Sequence, residues 1–390
     1  MKSFHTYPSE RITYQDRVTG ATVHQLTNHK GHSVHPYFTD DGWYDQNRRM
    51  LFQGDRENAH NIFSIELESG EISQLTNLPA GGPDLASPLF VNRKYNEIYY
   101  TYKRCIYALN LETLDARPLY IIPQGFTFGG ARPTADGEYV VGGLTEDTSA
   151  RIKANLSAGY IGMREIFEAK PDCRIIRINV TTGEVEEVWQ ENCWVGHINP
   201  SLTRGNLLSF CHEGPWQLVD HRIWVLDLKT GKARKIRERR QEGEMVGHEY
   251  WFEDGVHIGY QVHHRGENAE SFFGFQRYDG EDELEASCGA PMPTPDHIHS
   301  LGFDFVVSDS GKTIKGYKYD GKTFDGPRII CMHDGDFFWG AHHPHPAISH
   351  DGKNIIFNSN RTGYCNIYMV EVPEDFYSLP KVNLDELRRK

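Results

Sequence analysis

Apolar and polar residues alternate along most of the chain, the period-two pattern of strands. The apolar runs are separated by Asp-Gly, Ser-Gly and Thr-Gly pairs, which favour hairpin turns because those residues tolerate positive φ. The pattern recurs with a period of about 50 residues, in the range of propeller repeats. Its clearest copy runs from His345 to Val372: a strand start, an Asp-Gly turn, an apolar strand, a Gly turn and an alternating strand. The copy from Tyr37 to Thr76, read with Asp41-Gly42 as its first turn, adds a fourth strand after Glu68-Ser69-Gly70. Repeats start near residues 37, 87, 132, 200, 249, 299 and 345. No copy can bury both of its faces alone, so the copies must stack into a ring.

The expected fold is therefore all-β, a seven-bladed β-propeller filling residues 1–390 as one domain. The last copy lacks its fourth strand. Residues 12–27 supply a strand, a turn and a strand ending in the same Gln-Leu-Thr as the first copy, so the N-terminal strand is expected to close the last blade beside Asn366–Val372. One segment breaks the repeat. The stretch from Glu146 to Lys170 is long for a hairpin loop, and it is either a short helix shielding the channel mouth or a surface excursion.

Composition adjusts this picture in three ways. Hydrophobic residues make up 38% and aromatics 12%, with 37 glycines, which suits many short strands joined by glycine turns. The net charge of −13 argues against a nucleic-acid partner, because phosphate neutralisation needs a basic face. A small anionic ligand remains admissible if a cleft focuses positive potential locally. No apolar leader core occupies residues 1–12, no stretch is long enough to span a membrane, and the seven cysteines form no CxxC pair. Reduced thiols and a cytoplasmic location are the expectation.

The candidate chemistry lies in the histidines. Many of the twenty cluster where an innermost strand begins: His35, His197, His248, His297 with His299, and His342, His343 and His345. In a propeller such positions converge on one end of the channel, and converging imidazoles suit a divalent metal. His343 and His345 stand two apart, the spacing that puts both on one strand face. Arg222, beside Ile223-Trp224, is either a planar fork for a carboxylate or a surface ion pair. Manganese, iron, zinc and nickel are all compatible with imidazole ligands.

The segments KPDCR (170–174), ENCWVGH (191–197), CHEGPWQLVDHRIW (211–224), GHEYW (247–251) and HPHP (343–346) occur in an order that resembles the oligogalacturonate lyase family. With the repeats, the resemblance covers nearly the whole chain. It implies a metal-dependent enzyme that cleaves short uronate oligosaccharides by β-elimination, giving 4,5-unsaturated products. It also implies a manganese ion on His297, His343 and His345, His248 as general base, and Arg222 assisting at the carboxylate. His197, His212 and Arg132 are the further positions expected to meet a small anionic oligosaccharide. One departure stands out: the family's ligating glutamine is replaced by Gly340, leaving His342, His299 or water to complete the shell. The alternatives are a lyase of the same family acting on another uronate, and a non-enzymatic TolB-like binding propeller. The lack of a G-x-S-x-G motif argues against a propeller cap from a serine hydrolase.

Overall fold

The computed structural model describes residues 2–83, 85–156, 159–264, 269–289, 297–336 and 343–382. Seven antiparallel sheets follow one another around the ring, here called blades 1 to 7 in chain order. The innermost strands of blades 3 to 7 are Phe126–Pro133, Val195–Pro200, Met245–Trp251, Ile298–His299 and Ala347–Ile348. Middle strands are buried on both faces and read as continuous apolar runs, as in Leu207–His212. Outer strands are half exposed, and Lys232–Lys235 carries the lysines that protect an edge from further pairing.

The ring is held at its junctions. Among the described residues there are seven apolar clusters, each drawing mainly on two adjacent blades. Blade 7 meets blade 1 through Leu26, Ile356 and Ile367 against Trp43, Met50 and Phe52. The closing strand is N-terminal, as expected: Val23 pairs with Val370 and Gln25 with Tyr368. Residues Ile12–Gln15 add a fifth strand outside it.

Besides the extra strand of blade 7, two further blades depart from the four-stranded expectation. In blade 2 the innermost strand is reduced to isolated bridges at Ala86 and Asn92, because Pro88 has no N–H to donate and Leu89 takes a positive φ of 56°. In blade 1 the innermost strand is split into Ser33–Val34 and Trp43–Tyr44, and Thr6–Tyr7 adds an outer edge. Asp41-Gly42 is thus not the hairpin turn; the turn lies at Asp45, Gln46 and Asn47, all at positive φ. Residues 35–42 instead leave the sheet and cross the channel. Phe38, only 3% exposed, packs between blades 5 and 6 against Tyr250, Phe273 and Ile298. Burying that ring stabilises the crossing by about 1.5–3 kcal/mol.

The Glu146–Lys170 insertion contains a helix, Met163–Ala169. Phe167 lies against Gly214, where an added Cβ would come within 2.4 Å of its ring. The helix therefore docks on the CHEGP segment. Among the described residues no helix is long and apolar enough to cross a membrane.

Candidate active site

Bulges in the innermost strands aim the site residues. Register is skipped at the same place in three successive blades: between Gly129 and Arg132, between Gly196 and Asn199, and between Gly247 and Tyr250. The skipped residues at positive φ are Gly130, His197 (46°) and His248 (52°), and His345 adopts the same backbone (45°) in blade 7. A left-handed histidine costs on the order of 1–3 kcal/mol, and such strain concentrates at functional sites. Here it turns side chains out of the sheet pattern.

His297, His343 and His345 meet at one point. One ligating nitrogen from each lies within 4.8 Å of the others. His343 and His345 reach it without being in a strand, since Ala347–Ile348 begins only after Pro346. Their shared orientation comes from the left-handed turn at His345, not from strand alternation. Asp309, with a fully buried side chain, binds the cluster together: it accepts from His297 Nδ1 at 3.1 Å and from the His345 backbone N–H at 3.0 Å. A carboxylate on Nδ1 fixes the tautomer and leaves His297 Nε2 to coordinate. His35 braces the same loop through Pro344 O at 3.1 Å. Burial, then neighbouring His297 and His343, holds His345 well below the usual imidazole range. It is neutral, as a ligand must be.

His248 lies beside His297, with ring centroids 5.1 Å apart. Burial, followed by His297 and Arg222, holds it well below the ordinary histidine value. Its Nδ1 contacts the Gln261 side-chain amide. That contact fixes the orientation of the His248 ring.

Arg222 is buried and ion-paired: Nε to Glu249 at 3.1 Å and Nη2 to Glu213 at 3.2 Å. Its guanidinium lies over Trp216 at 5.0 Å, and Gly247 leaves the room, since a Cβ there would sit 2.3 Å from that indole. His197 touches both carboxylates, Nε2 at 3.2 Å from Glu213 and Nδ1 at 3.5 Å from Glu249. It lines a cavity of about 200 Å³ with Tyr37, Thr145, Arg132 and the glycines 129, 130 and 143. Tyr37 stands between the two groups, 4.8 Å from His345 and 6.5 Å from His197 by ring centroids.

Three expected positions are placed otherwise. His212 is turned away: Nε2 bonds Glu191 at 2.9 Å and its ring packs on Trp224, because strand alternation points Cys211 and Glu213 inward instead. His299 accepts the Ile348 N–H at 3.0 Å and packs on Tyr250, so it does not complete the metal shell. Arg132 borders the cavity but spends Nε on buried Asp40 at 2.6 Å and Nη1 on Ile198 O. Gly340 and His342 lie outside the described residues. Tyr37, Glu213, Gln261 and Asp309 are residues of this site that sequence reasoning missed.

The comparisons with known proteins bear on the family and the fold. The sequence profile of the oligogalacturonate lyase family matches residues 3–310, which includes every motif above except HPHP. The chain is 26% identical over 386 residues to the oligogalacturonide lyase of Pectobacterium atrosepticum, covering 94% of this chain and 97% of that protein. It is 26% identical over 409 residues to the oligogalacturonate lyase of Dickeya dadantii, covering 96% and 97%. An oligogalacturonate lyase solved in complex with manganese superposes with a TM-score of 0.84 at 24% identity, over 97% of this chain and all of that one. The oligogalacturonate lyase of Vibrio parahaemolyticus gives 0.82 at 24% identity, over 96% of this chain. With a profile match across most of its length and curated relatives aligned nearly end to end, the chain belongs to the oligogalacturonate lyase family.

Proposed function

We propose that this protein cleaves short galacturonate oligosaccharides, di- or trisaccharides, by metal-dependent β-elimination at the mouth of the propeller channel. The observation that carries this reading is the trio His297, His343 and His345, oriented by Asp309, with neutral His248 directly beside it. Three converging imidazoles and a carboxylate behind one of them make a donor set suited to a divalent ion, and manganese is supported by the related protein solved with it. Such an ion supplies Lewis acidity toward the carboxylate attached to C5, whose negative charge otherwise opposes loss of the C5 proton.

The chain's own groups perform the rest. His248 removes the C5 proton, while Gln261 holds its ring by the contact at Nδ1. Arg222 is fixed by Glu213 and Glu249 through Nε and Nη2; neither ion pair uses Nη1, which is the group left to meet a uronate carboxylate. Tyr37 and Phe38, carried across the channel by blade 1, form an aromatic floor beneath the histidines and exclude water from it. The cavity beside His197 and Arg132 takes the next sugar. Its small volume favours a short oligosaccharide over a polymer. Seven free cysteines support a reducing, cytoplasmic setting.

The test is incubation with digalacturonate and manganese while following the absorbance of the unsaturated product. Formation of that product, abolished by chelation and restored by manganese, is expected. Steady absorbance with metal-loaded protein, on digalacturonate and trigalacturonate alike, overturns the reading.

A further inference from the structure

Elimination at C4 needs a proton for the departing oxygen, and no group named so far supplies it. His197 is placed for this. Each of its ring nitrogens faces a carboxylate oxygen, Glu213 Oε1 at 3.2 Å and Glu249 Oε1 at 3.5 Å. Glu249 Oε1 is buried and has no hydrogen-bond partner, and His197 Nδ1 at 3.5 Å is the ion-pair contact it faces. A ring with protons on both nitrogens presents an N–H to each oxygen. Two carboxylates face one guanidinium, that of Arg222, so one net negative charge is left facing His197. Burial works against ionised Glu213, but Arg222 and the hydrogen bond from His197 hold its carboxyl well below the usual range. The other titratable neighbours are Cys211 on the same blade, Tyr37 and Asp40 from blade 1, and His248 from blade 5.

Access separates His197 from the buried histidines. Its side chain is 27% exposed and borders the cavity of about 200 Å³, on the far side of Tyr37 from the metal-binding trio. A uronate held at the trio would place its neighbouring sugar, the leaving group, toward this cavity. The two contacts to carboxylates are also longer than the about 2.7–2.9 Å of tight charge-assisted bonds, so the proton is not locked to them.

We propose that His197 is the proton donor to the departing glycosidic oxygen, a role that rests on the elimination reading given above. His248 takes the C5 proton, and the C5–H electron pair becomes the second bond between C4 and C5. The bond from C4 to the glycosidic oxygen breaks, its electron pair stays on that oxygen, and the oxygen takes the Nε2 proton of His197. A solvent proton then restores the imidazolium, and His248 releases its own to solvent.

The experiment compares two substrates with manganese-loaded protein: digalacturonate, whose leaving alkoxide requires protonation, and a galacturonide carrying dinitrophenolate at C4, which does not. Asparagine tolerates the left-handed backbone at this position, so the variant is His197→Asn. Its turnover of digalacturonate is expected to fall by about 100-fold or more, while the dinitrophenolate substrate changes by less than about 3-fold. Glu213→Gln loosens Arg222 for both substrates but should cost digalacturonate more than the dinitrophenolate substrate, which keeps the idea testable if His197→Asn folds poorly. Equal losses on both substrates, or none on either, overturn the proposal. So does the loss of a second equivalent of bound metal in His197→Asn, which would make His197, Cys211 and Glu213 a metal site. A wild-type protein inactive on both substrates instead overturns the elimination reading itself, and the His197 role falls with it.

Discussion

Two histidines of blade 7, His345 and His350, flank the short inner strand Ala347–Ile348 and serve opposite ends of the channel. His345 faces other imidazoles, and burial with its neighbours His297 and His343 keeps it uncharged. His350 is also largely buried, yet its ring donates to Asp41 at 2.8 Å and Glu253 at 2.7 Å and is pushed up to about 10. Arg93 binds the same Asp41 through Nη2 at 2.9 Å, so this end is a closed ion-pair network joining blades 7, 1, 2 and 5. Burial lowers both rings; the partners decide the outcome. Where carboxylates face the ring it becomes a fixed cation that clasps blades together. Where imidazoles face it, it keeps the lone pair that a metal or a proton can use.

The largest effect should come from destroying the neutral end. His345→Ala or His297→Ala is expected to weaken metal binding by more than about 100-fold, beyond what outer partners of a metal site contribute. Turnover should vanish with the metal. His350→Gln, measured beside them, should retain full metal content. Stoichiometric metal in His345→Ala by elemental analysis would break the comparison, because both histidines would then be structural.

Next comes the base. His248→Gln should keep metal and fold while losing about 100 to 10,000-fold in kcat, the usual range for a general base. Near-native turnover of digalacturonate at neutral pH would remove His248 from that role. Asp309→Asn sharpens the same contrast from behind. It keeps the shape of the bond to His297 but not its charge, so metal affinity should fall by about 10–100-fold in a titration, with kcat at saturating metal far less affected. An affinity equal to wild type would show that Asp309 only supports the HPHP loop.

Much of this architecture was legible because alternation and Asp-Gly turns are local signals. The closing strand was legible by subtraction, since a blade that ends at Val372 must borrow an edge from elsewhere. The crossing of blade 1 was not. Tyr37 and Phe38 read as the start of a strand because aromatic residues look alike whether they face a neighbouring blade or the channel. The histidine trio was found by its residue types and by family resemblance, although the strand geometry invoked for His343 and His345 was wrong. Glu213 was within reach of period-two reasoning: in Leu207–His212 the odd residue Cys211 points to the site, so Glu213 and not His212 continues that face. Asp309 gave no local signal, being one acidic residue among 54 whose partners are distant in sequence.

The smallest expected effect tests the charged end. His350 has a folded value near 10, above the about 6.5 of an unfolded chain, so its protonation favours the folded state. That contribution is fully present below pH about 6.5 and is lost as pH rises through about 10. His350→Gln can still bridge Asp41 and Glu253 by hydrogen bonds but carries no charge, and it should lower the melting temperature by roughly a few degrees at neutral pH. The quantity to follow is the difference in melting temperature between wild type and variant, which cancels the alkaline titration of other groups. It should shrink steadily between those two pH values, with kcat on digalacturonate unchanged where both proteins are folded. A difference that stays constant through pH about 10 would mean that His350 acts by shape alone, and that its two carboxylates do not hold it as a cation.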